Sequence, residues 1–191
     1  VRARFGLQER PYFLFLGAIE ARKNLKNLVD AFELAVEQGL ESDLVLAGPH
    51  GFQGRRIREA CSQRTRLQGR LHLPGYIDST DLPALMAGAR GFVHPARHEG
   101  TGMTALEAMA AGTPVLCSNR GALPEVTAGA ALLFEPNDPA SIARTLLQNE
   151  GDPELRARMR EQGLVHSAAF TWERSAKQTL DAYELAMQLP A

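Results

Sequence analysis

Short apolar runs alternate along this chain with longer stretches in which apolar positions recur every three to four residues. The runs predict strands over 12–16, 43–47, 71–73, 92–94, 114–117 and 131–134. The periodic stretches predict helices over 25–38, 81–89 and 103–111, while the polar, arginine-rich segment after 47 continues to 67 without a clear apolar face. Asp138 before Pro139 is an N-cap and first-turn pair, and Thr171 is placed to cap a second closing helix that runs to about 189. Strands alternating with helices in this way indicate α/β architecture, a doubly wound parallel sheet with helices on both faces. Residues 1–9 read as a linker into the first strand, and there is no internal repeat or low-complexity tract.

With 191 residues and 45% hydrophobic content, the chain is expected to form one compact domain with a sizeable core. A formal net charge of −1 argues against broad electrostatic attachment to nucleic acid or to an anionic membrane, so any basic site must be local. Two cysteines, Cys61 and Cys117, are too few for a disulfide framework and fit a reducing, cytoplasmic setting. No apolar run approaches membrane-spanning length, which predicts a soluble protein. The histidines and cysteines show no metal-ligand spacing, and no metal or other cofactor is expected.

The candidate chemistry lies in the run HPARHEGTGMTALEAMAAGTPV, where Glu99 and Glu107 stand eight residues apart across Gly100-Thr101-Gly102. The glycines fall where a strand gives way to a helix. The first turn of that helix presents unpaired backbone N–H groups and the positive end of its dipole, which favour a phosphate. The amides of Gly102, Met103 and Thr104 are the candidate cradle. A carboxylate on each side of such a cradle suits a ligand with hydroxyl groups at both ends of a diphosphate, a nucleotide sugar. Gly17, Arg22 and Lys23 follow the first predicted strand, where either cation could meet the diphosphate. Tyr76 and Ile77 follow the third, as the edge of a base pocket or as packing residues. In an open α/β sheet these loops converge beyond the carboxyl ends of the strands.

This segment resembles the E-x7-E signature of the retaining glycosyltransferases of family 4, which have the GT-B fold. GAIEARKNL at 17–25, LVLAGP at 44–49, LPGYI at 73–77, LPEV at 123–126 and FTWERSA near the C-terminus fall in that family's order. The resemblance covers nearly the whole chain. It implies the C-terminal, Rossmann-like half of a GT-B fold, a donor-binding domain over 1–191, with an N-terminal acceptor domain absent from this chain. It further implies transfer of a hexose from a nucleotide sugar to an acceptor with retention at the anomeric carbon, without a metal. The GxxEARKN form resembles bacterial polysaccharide mannosyltransferases, which makes GDP-mannose the first donor to test. By the same resemblance Lys23 contacts the diphosphate, Glu99 the hexose hydroxyls and Glu107 the ribose. The acceptor, sugar or lipid-linked, would be held mainly by the missing half, as would any contact with the inner membrane. Two departures stand out: Ala18 where many members carry an arginine, and Ala96 where a serine is common.

Three alternatives remain. One is a nucleotide-sugar-binding module with no activity of its own. Gly100-Thr101-Gly102-Met103-Thr104-Ala105 also matches the G-x-G-x-x-A of nicotinamide dehydrogenases, but Asn119 stands where an acidic ribose ligand is wanted. A glycosidase would need the two carboxylates as acid and nucleophile, and neither glutamate has an independent acid-base signature. His94 before Pro95 reads as a satisfied core or loop residue.

Overall fold

The computed structural model describes residue 7 and residues 10–188. Apart from Leu7, which is buried, the expected linker over 1–9 lies outside the described residues, as does Leu189. Six strands form one all-parallel sheet: β1 (Tyr12–Leu16), β2 (Asp43–Ala47), β3 (Leu71–Gly75), β4 (Gly91–His94), β5 (Val115–Ser118) and β6 (Ala131–Phe134). Among the described residues eight α-helices accompany them: α1 (Leu25–Glu37), α2 (Gly54–Ser62), α3 (Leu82–Ala87), α4 (Met103–Ala110), α5 (Leu123–Thr127), α6 (Pro139–Gly151), α7 (Pro153–Ser167) and α8 (Trp172–Gln188).

The strand alternation sorts side chains between two cores. Phe13 and Phe15 of β1 join Leu44 and Leu46 of β2 under α1 and α6, whereas Tyr12, Leu14, Val45 and Phe92 face α3, α4 and α5. A strand buried on both faces needs apolar residues at every position, and YFLFL supplies them. Helix α1 buries one stripe, Leu25, Leu28, Val29, Phe32 and Ala35, at the spacing of an amphipathic helix.

The strand order is β3-β2-β1-β4-β5-β6. Successive strands run outward from β1 to β3, and the chain then returns to lay β4 against the other side of β1, pairing Phe13 with Gly91 and Leu14 with Phe92. The direction of strand addition therefore reverses between β1 and β4. Such a reversal is a switch point, and in open α/β sheets ligands bind in the crevice beyond the carboxyl ends of the strands there.

Several local expectations are met at their caps. Asp138 accepts from Ala140 N at 2.9 Å to start α6, and Thr171 accepts from Arg174 N at 3.2 Å to start α8. Other elements differ from expectation. The arginine-rich stretch contains α2 and a 3-10 turn at Thr65–Leu67, and LPEV opens α5. Helix α7 was not expected, although Asp152 before Pro153 repeats the Asp138-Pro139 signal and Asp152 accepts from Leu155 N at 2.8 Å. No residue of α8 is buried. Cys61 and Cys117 are free and buried; burial raises both thiol pKa values, that of Cys117 to about 12. No helix among the described residues is long and apolar enough to cross a membrane.

Candidate functional site

The loops after β1 and β2 are locked together before any functional side chain is placed. Gly17 N donates to Ala47 O at 3.0 Å and Gly48 N to Gly75 O at 2.7 Å, so the ends of β1, β2 and β3 are stitched at the carboxyl edge. Gly48, with φ of +140°, lies so close to the neighbouring strand that a Cβ there would sit 1.9 Å from Gly17 O. Beyond this point Ile19 N donates to Pro49 O and Gly51 N to Ile19 O, strapping the two loops.

The β1 loop then forms a 3-10 turn, Ala21–Lys23, and Asn24 links it to α1 in the left-handed region at φ 60°. Asn tolerates that conformation better than most residues. Its buried amide donates to Pro95 O at 3.1 Å and to Pro136 O at 2.7 Å, tying the loops after β1, β4 and β6 into one knot. Asn27 adds a second donor to Pro136 O at 2.9 Å. This knot aims Lys23 across the crevice, where Nζ donates to Glu99 Oε2 at 2.7 Å. Both side chains are largely covered, 11% and 15% exposed, so the pair sits in a partly desolvated setting where charge interactions are strengthened. Glu99 is also fixed through its backbone, since its carbonyl accepts from Ala122 N at 3.1 Å.

His94 closes the floor. It is the last residue of β4 and 1% exposed, with Nε2 3.5 Å from Glu99 Oε2. Its Nδ1 is buried and has no partner among the described residues, so the expectation of a satisfied core histidine is not met. Burial depresses its pKa to about 4; Glu99 opposes the shift, while Lys23 and Arg22 add to it. The ring is therefore neutral at physiological pH. For Glu99, burial pushes the carboxyl up, but the Lys23 hydrogen bond and charge, helped by His94 and Arg22, outweigh it and hold the group below its ordinary value. An ionised Glu99 thus faces Lys23 above a neutral imidazole.

Helix α4 begins on the same edge. Gly102 is its N-cap, in the left-handed region at φ 67°, and no side chain caps the helix. Gly102 O accepts from Ala105 N and Leu106 N, leaving the amides of Met103 and Thr104 at the open first turn. That turn holds no acidic residue, so the positive end of the helix dipole is uncompensated there.

The remaining expected site residues divide. Arg22 is exposed and pairs with Glu20 at 2.6 Å rather than pointing at Glu99. Glu107 lies exposed on α4, although Ala105, Leu106, Ala108 and Met109 of the same helix are buried. Tyr76 is 69% exposed, whereas Ile77, at 3%, packs into the α3–α4 core and resolves towards the packing alternative. Ala96 is fully buried at the position where a hydroxyl was noted as missing. Asn24 was not singled out in the sequence; its only local signal is an Asn between a turn and a helix start. Among the described residues, no group of three or more His, Cys, Asp or Glu could hold a metal ion. The G-x-G-x-x-A match follows β4, away from the first βα turn that carries a dinucleotide fingerprint.

Comparison with known proteins agrees with this geometry. The family described as Glycosyl transferases group 1 matches residues 2–165. The O-antigen chain mannosyltransferase B of Escherichia coli is 37% identical over 186 residues, covering 97% of this chain and 49% of that protein. The C-terminal domain of the glycosyl transferase group 1 protein LpcC from Francisella tularensis superposes with a TM-score of 0.74 at 22% identity, over 88% of this chain and 91% of that domain. Anabaena Alr3699/HepE, solved in complex with UDP, gives a TM-score of 0.83 at 22% identity, over 96% of this chain and 51% of that one. The chain thus spans about half the length of the E. coli mannosyltransferase it matches. A Rossmann-like sheet of GT-B type, a Lys23–Glu99 pair at its switch point and a family match over most of the length lead to one conclusion: this chain belongs to the group 1 glycosyl transferases.

Proposed function

We propose that this chain is the donor-binding part of a retaining glycosyltransferase that moves a hexose from a nucleotide sugar to an acceptor, with GDP-mannose as the first donor to test. The observation that carries the reading is the Lys23–Glu99 pair beside the uncapped start of α4, at the switch point of the sheet. In the reaction the bond between the anomeric carbon and the diphosphate oxygen breaks, and the nucleoside diphosphate leaves with the electron pair. The acceptor oxygen bonds to the same carbon on the same face and gives its proton to the departing diphosphate oxygen. Lys23 Nζ and the amides of Met103 and Thr104 neutralise the charge that develops on the departing diphosphate, the largest electrostatic demand of the step. Glu99, ionised, accepts hydrogen bonds from hexose hydroxyls, and exposed Glu107 is free to accept two from a ribose. Binding the diphosphate draws Lys23 partly away from Glu99 and frees carboxylate lone pairs for the sugar.

No metal is required in this scheme, because lysine and helix terminus supply the positive charge. The acceptor is held mainly by an N-terminal domain outside this chain, as is any membrane contact, and the donor is met in the cytoplasm. The relative's double length favours a second reading, a nucleotide-sugar-binding module that turns over nothing alone.

Calorimetry with GDP, UDP and ADP and with their sugars tests the assignment. Glu107→Ala should weaken every nucleotide by about tenfold to a hundredfold, as expected for lost charge-assisted hydrogen bonds. Glu99→Ala should weaken only the nucleotide sugar and leave the bare diphosphate unchanged or tighter, since Lys23 is released. Equal losses for both ligands in Glu99→Ala would overturn the division of roles. Acceptor-dependent mannosyl transfer by these 191 residues would overturn the binding-module reading.

A further inference from the structure

A second cationic site lies on the opposite edge of the sheet. The residues entering β4 and β5, together with residues of α7, line an open surface cavity of about 290 Å³ that is bordered by Arg90, Arg156 and Arg160 and by small apolar residues such as Ala89 and Pro114. No carboxylate lines it. Arg156 Nη1 donates to Asn149 O and, at 2.6 Å, to Glu150 O, closing the end of α6. Arg160 Nη1 donates to Gly112 O at 3.1 Å, just beyond α4. Each of these two guanidiniums keeps further N–H donors after making its carbonyl contacts. The Arg90 guanidinium, among the described residues, has neither a carboxylate nor a hydrogen-bonding partner.

Carbonyl oxygens orient a guanidinium without neutralising it, so the cavity gathers three positive charges. At Arg156 burial lowers the pKa and the Arg90 charge lowers it further, while Glu150 and Asp152 offset only part of this. Converging guanidinium forks match the oxygen geometry of phosphate, and a phosphate group carries roughly −1.5 to −2 at neutral pH. A singly charged carboxylate would leave more of the positive charge unbalanced, and the small apolar walls leave room for an organic substituent.

We propose that Arg90, Arg156 and Arg160 form a phosphate-binding site at the amino edge of the sheet, distinct from the donor crevice. Helix α4 connects the two, starting after Gly102 at the donor edge and ending two residues before Gly112, whose carbonyl accepts from Arg160. The site takes a free phosphate ion or the phosphate of a small ester.

Arginine Nε–Hε resonances of the whole chain, followed by NMR during titration, test this site by site. Inorganic phosphate should shift the Arg90, Arg156 and Arg160 signals saturably, in wild type and equally in Lys23→Met, which disables the donor crevice. Arg90→Gln, which keeps the shape and removes the charge, should weaken this binding by about tenfold or more. Glycerol 3-phosphate distinguishes the source: tighter binding than phosphate assigns the cavity to an ester, equal binding to the free ion. The proposal fails if the three signals do not saturate, if chloride at matched ionic strength produces the same shifts, or if Arg90→Gln binds phosphate as wild type does.

Discussion

Acidification from about pH 6.5 to about pH 4 is expected to remove about 3 kcal/mol of stability through His94 alone. The imidazole ends β4 in a fully covered position, with its ring 6.2 Å from Phe92 in an edge-on contact and Lys23, Glu99 and Arg22 as the charged groups that act on it. Burial is the dominant cause of its depressed pKa, from an ordinary 6.5 to about 4. In the unfolded chain the ring takes up a proton near pH 6.5, whereas in the fold it resists until about pH 4. Between those values the unfolded state binds more protons, so the stability present above about pH 6.5 is lost as pH falls towards about 4. The gap of about 2.5 units, at about 1.36 kcal/mol per unit, gives the figure above. Urea unfolding at about pH 7, 6, 5 and 4 measures it, with His94→Leu as the comparison. The variant has its own baseline stability, but its slope against pH should be flatter by most of that amount. Glu99, held below its ordinary pKa, adds a loss only at lower pH, as protons enter through its folded value, and it does so in both proteins. Equal slopes for wild type and His94→Leu between about pH 6.5 and 4 would refute the assignment of a neutral, buried imidazole.

Lys23→Met should weaken nucleoside diphosphate binding by about tenfold to a hundredfold and raise the Glu99 carboxyl pKa, read by calorimetry and by NMR titration; an unmoved Glu99 would show that the ion pair does not persist in solution. Asn24→Ala removes two buried hydrogen bonds and places alanine in the left-handed region, so denaturant unfolding should show a loss of about 3 kcal/mol, and a change below about 1 would contradict the knot of loops. Gly48→Ala, whose Cβ would meet Gly17 O at 1.9 Å, should fail to fold or should lose nucleotide binding, and a variant with native melting and native affinity would show that the two loops are not so closely stitched.

By itself the sequence determined the strands, most of the helices and the parallel α/β class, because periodicity and caps are local properties of a few consecutive residues. It also placed the chemistry on the correct edge: Gly17 to Asn24, Gly48 to Gly54, Gly75 to Ile77 and His94 to Thr104 all follow carboxyl ends of strands. Local signals were weaker where polarity masked them, as in arginine-rich α2, and α7 went unread although its Asp152-Pro153 start was there to see. The apolar run around Glu107 does not fix that residue's own exposure, because a helix of eight residues with buried neighbours still turns one face to solvent. Only the tertiary structure decided which distant residues meet. Lys23 and Glu99 lie 76 positions apart and touch because β4 returns to the side of β1 rather than extending the outer edge. The same return makes His94 a neutral floor beneath them and gathers Arg90, Arg156 and Arg160 at the other end of the strands. Strand order is set by how all the apolar faces are buried together, a property of the whole core that no short window of sequence contains.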